Sequence, residues 1–529
     1  MLVSIFNDVI GPVMRGPSSS HCAAALRIGR LARDLVGGEF EEVLVEFDRQ
    51  GSLPTTHASQ GSDMGLFGGL LGWDAADERL PNSPQALREA GVRVHIEVVD
   101  AGDPHPNTYR LSLRRGSASR FVRAISTGGG MMEVVNVDHF EVSICGDCFE
   151  TLLWLDGDGR ELAGWLEAEA GADAVLLHEA GGRQLVEVKG TGFVPDDLIH
   201  SLPARFAIRE VRRLRPVLPV LTRRGTRVPF TNCAEMLRHD AGRDTPLWKL
   251  AVEYEMARGG LTETEVVARM EEIVRILRRS IAQGVAGTHY ADRVLGHQSG
   301  RFEALMKAGR LLEGGSLNRI ALYVTALMEV KSSLGVIVAA PTAGACAALP
   351  GAVIAVAEAR DLGDAEMARA LLAAGLIGVF IATQWTFAAE VGGCQAEGGS
   401  AACMAAAALV DLAGGTLAQS VAAASLALQS MLGLICDPIA NRVEAPCLGK
   451  NVMAASHALS CANMALADFD PLIPLDEVIE AARQVSGQMP RTLRCTALGG
   501  LSITPTSRAI EARLAAANAA GCTRACREC

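Results

Sequence analysis

The spacing of apolar residues divides the chain into an alternating part and a helical part. Residues 42–47 alternate between apolar and polar side chains, which predicts a strand, whereas residues 23–36 repeat apolar side chains at helical period. From residue 228 onward nearly every apolar run has helical period, and the acids after Thr262 mark one helix start. We therefore predict an α/β N-terminal domain over residues 1–135 and an all-α domain over residues 228–510.

The region between these domains has its own pattern. Residues 136–200 read as strand, strand, helix, strand, strand, an α+β order that resembles an amino-acid-binding module of the ACT type. The basic, proline-containing stretch 201–227 is interpreted as a linker with solvated charges. Residues 511–529 form a helical tail that ends in three cysteines. Cys145 and Cys148 form a C-x-x-C pair, and no second pair follows at zinc spacing. We interpret them as reduced surface cysteines, with redox activity as the alternative.

One uncharged run is long enough to cross a membrane. Residues 370–389 carry no formal charge, but they include Gln384, Trp385 and Thr386 and continue directly into Glu390. A helix that is apolar on every side is also what the interior of a large protein requires. We predict a buried helix and expect no association with a membrane.

Composition restricts the class of protein. Hydrophobic residues make up 49% of the chain but aromatic residues only 4%, so the helices must pack through small side chains. The net charge of −11 argues against nucleic acid as a partner. The first residues lack the pattern of an export signal, so the 14 cysteines are predicted to be thiols and metal ligands rather than disulfides. We expect a cytoplasmic homodimer that acts on a small soluble molecule.

Three cysteines lie at breaks between long apolar stretches. Cys394 follows two glycines, Cys436 follows Gly433, and Cys447 follows a proline. Thiolates held at such breaks are suitable ligands for a soft metal centre. Their spacing matches no compact ferredoxin motif, so the spacing by itself leaves open that they are small buried hydrophobic residues.

The sequences around these cysteines resemble a known family. GGCQAEGGSAACMAAAALV, LGLICDPIANRVEAPCLGKNVMAASHAL and AAPTAGACAALPGAV resemble the α domain of the iron–sulfur L-serine dehydratases, and GPSSSH and STGGG resemble its β domain. The resemblance implies a [4Fe–4S] cluster held by Cys394, Cys436 and Cys447. One iron would then lack a protein ligand and bind the substrate hydroxyl as a Lewis acid. The implied reaction is β-elimination of water from L-serine or a similar β-hydroxy-α-amino acid, giving a 2-keto acid and ammonia.

The resemblance also implies where the substrate binds. Serines and a histidine at a helix start offer hydroxyls and backbone N–H groups to an anion, although ordinary helix capping explains the same residues. Pro341 and Gly344 interrupt two apolar segments and present backbone groups beside the cluster. The implied substrate-binding residues are Ser18, Ser19, Ser20, Asn107, Thr342 and Gly344.

The general base of the family is missing from its usual position. Members commonly have a histidine where this chain has Gln60, and glutamine cannot accept a proton at neutral pH. Our first candidate is His57, although three residues of extended chain displace it by about 10 Å. Lys331 and His21 are further candidates for catalytic residues. The alternative for Lys331 is that it is an exposed lysine on the surface.

The fourth iron ligand and the substrate are open. Some single-chain relatives end in a cysteine that binds the fourth iron, so we predict that Cys529 has this role. The alternative ligands are Cys526, Cys522 and Cys495. A further alternative is that the tail is inert and binds no iron. Cys495 stands where the family pattern has a glutamate. Two other functions remain open: a related iron–sulfur lyase acting on a different β-substituted acid, and a non-catalytic amino-acid sensor.

Overall fold

The computed structural model describes residues 2–16, 19–58, 61–290 and 292–525. Its chain forms two compact units. The N-terminal unit comprises Pro17–Thr226, and the helical unit comprises Met1–Gly16 together with Arg227–Cys529.

The elements of the described residues are as follows. The strands are β1 (Val13–Arg15), β2 (Glu42–Asp48), β3 (Arg93–Val99), β4 (Thr108–Arg115), β5 (Ala118–Gly128), β6 (Met131–Val137), β7 (Phe140–Ile144), β8 (Phe149–Leu155), β9 (Ala174–Ala180), β10 (Arg183–Gly190), β11 (Ile208–Leu214) and β12 (Val336–Val338). The helices are α1 (Ser19–Val36), α2 (Leu53–Thr56), α3 (Ser62–Leu70), α4 (Ser83–Glu89), α5 (Gly159–Glu169), α6 (Asp196–Ser201), α7 (Cys233–Asp240), α8 (Leu247–Gly259), α9 (Glu263–Ala286), α10 (Ser299–Lys307), α11 (Ser316–Lys331), α12 (Ala348–Ala359), α13 (Asp364–Gln384), α14 (Ala389–Gly392), α15 (Ser400–Leu412), α16 (Leu417–Gln429), α17 (Cys447–Leu466), α18 (Leu475–Gln488) and α19 (Pro505–Ala525).

A six-stranded sheet forms the first half of the N-terminal unit. Its strand order is β3-β2-β4-β5-β6-β7, in which β2 and β3 run parallel and the other pairs antiparallel. Val43, Val45 and Phe47 are fully buried on one face, as the alternation of β2 predicts. Helices α1 and α3 pack on that core. The predicted α/β character of this region is confirmed.

A four-stranded antiparallel sheet forms the second half. Its order is β11-β8-β10-β9, and the elements from β8 to β11 follow each other as β-α-β-β-α-β. The predicted ACT-like segment also included β7, but β7 pairs with β6 and belongs to the larger sheet. The linker interpretation is wrong for Ile208–Leu214, because Ile208 and Val211 pack on the core of the small sheet and make this segment its edge strand. An ACT-type role in binding an effector stays a prediction.

Helices α13 and α15 form the interior of the helical unit. Helix α13 packs against α8, α9 and α15, and residues 400–410 of α15 are all buried. By length and composition α13 is the one described helix that could cross a membrane, yet 78% of its most apolar window is buried inside the protein. The buried helix that the sequence predicts is therefore present, although it ends at Gln384 rather than at residue 389.

The first sixteen residues belong to the helical unit, whereas the predicted boundary placed them with the N-terminal domain. Strand β1 pairs with β12 in antiparallel register. Ile5 and Val9 are fully buried beside Gly375 and Gly378 of α13, where the missing side chains of the glycines make room for them. Apolar packing on α13 is the physical reason for this correction.

Glu255 anchors this N-terminal segment. Its buried carboxylate accepts hydrogen bonds from Ser4 Oγ at 2.5 Å and from the Ile5 N–H at 2.9 Å.

We expect Glu255→Ala to lower the free energy of unfolding by about 1–3 kcal/mol, because two buried donors lose their acceptor. Urea unfolding followed by circular dichroism measures this. The control is Glu253→Ala on the same helix, whose exposed side chain pairs with His239 and whose loss should change stability by less than about 0.5 kcal/mol. Equal destabilisation by both variants would contradict the anchoring role.

Candidate functional site

A tight turn places Cys394 at the centre of the helical unit. Gly393 follows the last residue of α14 and has a φ of 68°. A Cβ atom on Gly393 would lie 2.7 Å from Met489 Sδ and 2.9 Å from the Leu434 carbonyl oxygen. Glycine is therefore required before Cys394. The next turn, Gln395–Gly399, is of the wide π type and continues into α15. Such turns are frequently found at functional sites.

The structure brings the three predicted cysteines into one buried region. The ligand atoms of Cys394, Glu397 and Cys436 all lie within 4.8 Å of one another. Cys394, Cys436 and Cys447 have exposed fractions of 4%, 3% and 7%. Burial, reinforced by the neighbouring Cys394, raises the pKa of Cys447 to about 12. Hydrogen bonds with Cys394 and Cys495 raise the pKa of Cys436. Both shifts favour the protonated form of the Cys436 and Cys447 thiols.

Lys450 supplies a positive charge next to these thiols. Its Nζ donates to the Ile435 carbonyl and to Asp437 Oδ1, both at 2.7 Å, and lies 3.7 Å from Cys394 Sγ. Burial works against the charged form, but Cys394 and Asp437 outweigh it and raise the pKa of Lys450. A neighbouring cation stabilises a thiolate. Lys450 was not predicted from the sequence, although its place three residues after Cys447 puts both residues on one helical face.

Thr342 and Gly344 lie against Glu397. Thr342 Oγ1 donates to Glu397 Oε1 at 2.7 Å, and a Cβ atom on Gly344 would stand only 2.6 Å from the same oxygen. Asn451 donates to the carbonyls of Gly344, at 2.8 Å, and Cys447, at 2.9 Å. Burial raises the pKa of Glu397 to about 7. Thr342 and Gly344 belong to the segment between β12 and α12, so this segment lies next to the cysteines. Glu397 was missed, although a C-x-x-E spacing places it one helical turn from Cys394.

Lys331 lies inside the helical unit and is not an exposed surface lysine. It ends α11, has an exposed fraction of 2%, and donates from Nζ to the Val443 carbonyl at 2.6 Å. Its charge is near enough to act on Cys346, Cys447 and Glu397, where it favours the ionised form. The structure thus groups Lys331 with the cysteines.

His57 and Asn107 lie at opposite ends of α2 in the N-terminal unit. His57 follows the last residue of α2, and its Nδ1 lies 2.8 Å from both carboxylate oxygens of Asp63. The Asn107 side-chain oxygen accepts a hydrogen bond from the hydroxyl of Ser52, the residue before α2. The carboxylate of Asp63 fixes the orientation of the His57 ring and leaves Nε2 for another partner.

Ser19, Ser20 and His21 occupy the first turn of α1. The Ser19 hydroxyl is buried and has no hydrogen-bond partner among the described residues. Gly65 of α3 lies directly against the carbonyl of Cys22, so the first turns of α1 and α3 are in contact. Since α3 also carries Asp63, the serines of α1 and the His57–Asp63 pair belong to one region of the N-terminal unit.

Several predicted residues cannot be placed. Ser18, Gln60, Cys526 and Cys529 lie outside the described residues, and of Cys522 only its membership of α19 is described. No disulfide joins the described cysteines.

The C-x-x-C pair is partly or fully buried, which corrects its interpretation as a surface feature. Cys148 has an exposed fraction of 7%, and Cys145 is half-buried. Burial and the neighbouring Asp147 raise the pKa of Cys145 to about 11 and that of Cys148 to about 12. Protonated thiols react poorly, so the pair fits reduced cysteines better than redox activity.

Several known proteins are similar in sequence to part or nearly all of this chain. The family described as Serine dehydratase alpha chain matches residues 243–502. The probable L-serine dehydratase, alpha chain, of Bacillus subtilis (strain 168) is 35% identical over 285 residues, which cover 54% of this chain and 95% of that protein. The probable beta chain of the same organism is 41% identical over 144 residues, 27% of this chain and 64% of that protein. The L-serine dehydratase of Streptomyces coelicolor is 32% identical over 515 residues, 95% of this chain and 99% of that protein.

These similarities agree with the order of the motifs along the chain. Separate alpha and beta chains match parts of it, and the single-chain Streptomyces relative matches nearly all of it. The chain therefore belongs to the L-serine dehydratase family, with the α and β regions joined in one polypeptide.

Proposed function

We propose that this protein dehydrates L-serine, or a similar small β-hydroxy-α-amino acid, with an iron–sulfur cluster held by Cys394, Cys436 and Cys447. As a member of its family the protein is a lyase. One observation carries the proposal: the buried thiols of Cys394 and Cys436, 42 residues apart in sequence, have their sulfur atoms within 4.8 Å of each other, and the buried Cys447 is near enough to Cys394 for that thiol to raise its pKa.

The chemistry of the donor set fits a [4Fe–4S] cluster. Cys394, Cys436 and Cys447 provide three thiols, the ligands that such clusters require, and Lys450 offsets part of the negative charge that forms when they ionise. When bound, the cluster supplies an iron without a protein ligand, which makes the β-hydroxyl of the substrate a better leaving group.

The N-terminal unit supplies groups for the substrate carboxylate. Ser19 offers a buried hydroxyl with no partner among the described residues, and the start of α1 offers backbone N–H groups and the positive end of a helix dipole. Ser20, Asn107 and His21 complete the proposed set of polar groups, with Ser18 beside them in the sequence. In the helical unit Thr342 and Gly344 hold Glu397 in place next to the thiols.

His57 is the proposed general base. Asp63 hydrogen bonds to Nδ1 of the ring, so Nε2 remains to take the α-proton of the substrate. As the Cα–H bond breaks, the Cβ–O bond breaks, and the leaving hydroxide takes up a proton from solvent and becomes water. His57 then returns the α-proton to solvent. The resulting enamine tautomerises to an imine, and a second water molecule hydrolyses it to a 2-keto acid and ammonia. Lys331 already donates to a backbone carbonyl, which favours His57 over it as the base.

The test is an assay for keto acid on protein purified without oxygen. L-serine is compared with L-threonine, β-thio acids and other β-substituted acids. Turnover of L-serine above all others supports the proposal. Preference for another β-substituted acid would indicate a related lyase, and binding without turnover of any substrate would indicate an amino-acid sensor.

Ser19 allows substrate binding to be separated from folding. We expect Ser19→Ala to lower kcat/KM about 10- to 100-fold, because a hydrogen bond to a charged group contributes about 1.5–3 kcal/mol. The melting temperature should not fall, since the hydroxyl has no partner among the described residues. The control is Ser280→Ala, which removes a buried hydroxyl that donates to the Val336 carbonyl at 2.8 Å and should lower stability without changing KM. An unchanged kcat/KM in Ser19→Ala would contradict its role in binding.

A further inference from the structure

Strand β3 is an open edge of the six-stranded sheet. It pairs with β2 on one side, and no strand among the described residues pairs with its other side. Five of its seven residues are exposed, whereas the adjacent β2 has no exposed residue. An open edge presents unpaired N–H and C=O groups, which native proteins usually cover, block or pair with another chain.

Apolar side chains of β3 continue the core face of the sheet into solvent. In the parallel register Ile96 lies beside Val45 and Val98 beside Phe47, so these side chains point to the same face as the core. Val45 and Phe47 are fully buried, whereas Ile96 and Val98 have exposed fractions of 38% and 39%. The apolar face of the sheet therefore extends one strand farther than its cover.

Every second residue of β3 directs its backbone groups away from the sheet. The Arg93 N–H donates to the Glu41 carbonyl at 2.9 Å, and the Val99 carbonyl accepts from the Arg49 N–H at 2.8 Å. Since alternate residues of a strand bond to the same neighbour, the residues that face outward are 94, 96 and 98. The outward Val98 carbonyl accepts one long hydrogen bond, at 3.4 Å, from the exposed side chain of Arg49.

The sequence of β3 is complementary to itself. When Ile96 of two antiparallel copies meets on a two-fold axis, Val94 opposes Val98 and His95 opposes Glu97. Each outward-facing residue then opposes an outward-facing residue, as an antiparallel ladder requires. The apolar pairs continue the core face, and the His95 ring can donate a hydrogen bond to the opposing carboxylate.

Other registers pair less of the strand. An axis on Ile96 pairs all seven residues of β3, whereas an axis on His95 or Glu97 pairs only five. The axis on Glu97 would also place two carboxylates directly opposite each other, which destabilises a strand pair. An axis between two residues would set outward-facing groups against groups that already bond to β2.

We propose that two copies of this chain associate through β3, so that their two six-stranded sheets join into one continuous sheet centred on Ile96. The partner is a second copy of the chain, and the contact is isologous, because the same strand serves on both sides. This interface contains neither the cysteine centre nor the proposed substrate-binding residues, so the inference does not depend on the proposed function.

Disulfide cross-linking tests the register directly. In Ile96→Cys the two new thiols lie opposite each other with Cα atoms about 5.5 Å apart, a separation that a disulfide spans. Glutathione disulfide takes up the two electrons and two protons of these thiols and becomes two molecules of glutathione. We expect most of the full-length variant, handled without oxygen, to migrate as a covalent dimer on a non-reducing gel.

Val98→Cys is the matched control for cross-linking. Val98 lies on the same face with almost the same exposure, but its copy on the opposing strand is four residues, about 14 Å, away and beyond the reach of a disulfide. This variant and the wild type should stay uncross-linked. Equal cross-linking of Ile96→Cys and Val98→Cys, or cross-linking of His95→Cys but not Ile96→Cys, would overturn the inference.

A charge on the axis tests association without new cysteines. Ile96→Lys places two lysines opposite each other, so we expect the dissociation constant of the dimer to rise at least about tenfold in sedimentation equilibrium. The control is Leu237→Lys on α7, where a similarly exposed apolar side chain receives the same charge and association should not change. Circular dichroism checks that each variant is folded. A wild type that is monomeric at every concentration, or equal association of Ile96→Lys and wild type, would overturn the inference.

Discussion

Replacement of Cys394, Cys436 or Cys447 by alanine is expected to abolish both cluster binding and keto-acid production. Each variant loses one of the three buried thiols of the proposed centre, and the metal–sulfur bond length of about 2.3 Å leaves little tolerance for a displaced replacement ligand. Anaerobically reconstituted wild type should contain about four irons per chain and absorb broadly in the visible range, as expected of one [4Fe–4S] cluster. Iron and sulfide analysis with visible spectroscopy measures the loss.

Cys461→Ala is the matched control for this experiment. Cys461 lies on α17, the helix that begins with Cys447, and has an exposed fraction of only 1%. Its replacement removes an equally buried thiol from the same helix and should leave the iron content unchanged. Full iron content in the triple variant of the three proposed ligands would contradict the proposed centre.

Loss of His57 is expected to have the second largest effect. General-base catalysis contributes about 100- to 10,000-fold to a rate, so His57→Ala should lower kcat by that factor while the protein keeps its iron. Imidazole is the side chain best suited to proton transfer near neutral pH. The direct measurement is exchange of the substrate α-hydrogen with solvent deuterium, which reports proton removal even when elimination is slow.

His95→Ala is the control for His57→Ala. His95 lies on the edge strand β3 of the same unit with an exposed side chain and should exchange at the wild-type rate when replaced. Equal exchange by the wild type and His57→Ala would exclude His57 and favour Lys331. Absence of exchange by the wild type on every β-hydroxy acid would favour a sensor. In the Gln60→His variant, which restores the usual family residue, activity on L-serine should rise.

The sequence by itself determined the local elements and the family. Alternation predicts β2, and the structure forms it over Glu42–Asp48. Thr262 and Glu265 form the capping box that opens α9. The motifs around the three cysteines identify the family, which the comparisons confirm. These features are predictable because each depends on residues within a few positions of one another, where backbone geometry and side-chain periodicity act directly.

Only the tertiary structure decided which distant segments meet. It placed residues 2–16 in the helical unit, added Ile208–Leu214 to a sheet as an edge strand, and showed that Lys331 is buried. It also brought Glu397 to Thr342, 55 residues away in sequence, and Lys450 to Cys394, 56 residues away. Such contacts depend on how whole helices and strands pack, and no local pattern specifies the partner of a buried polar group.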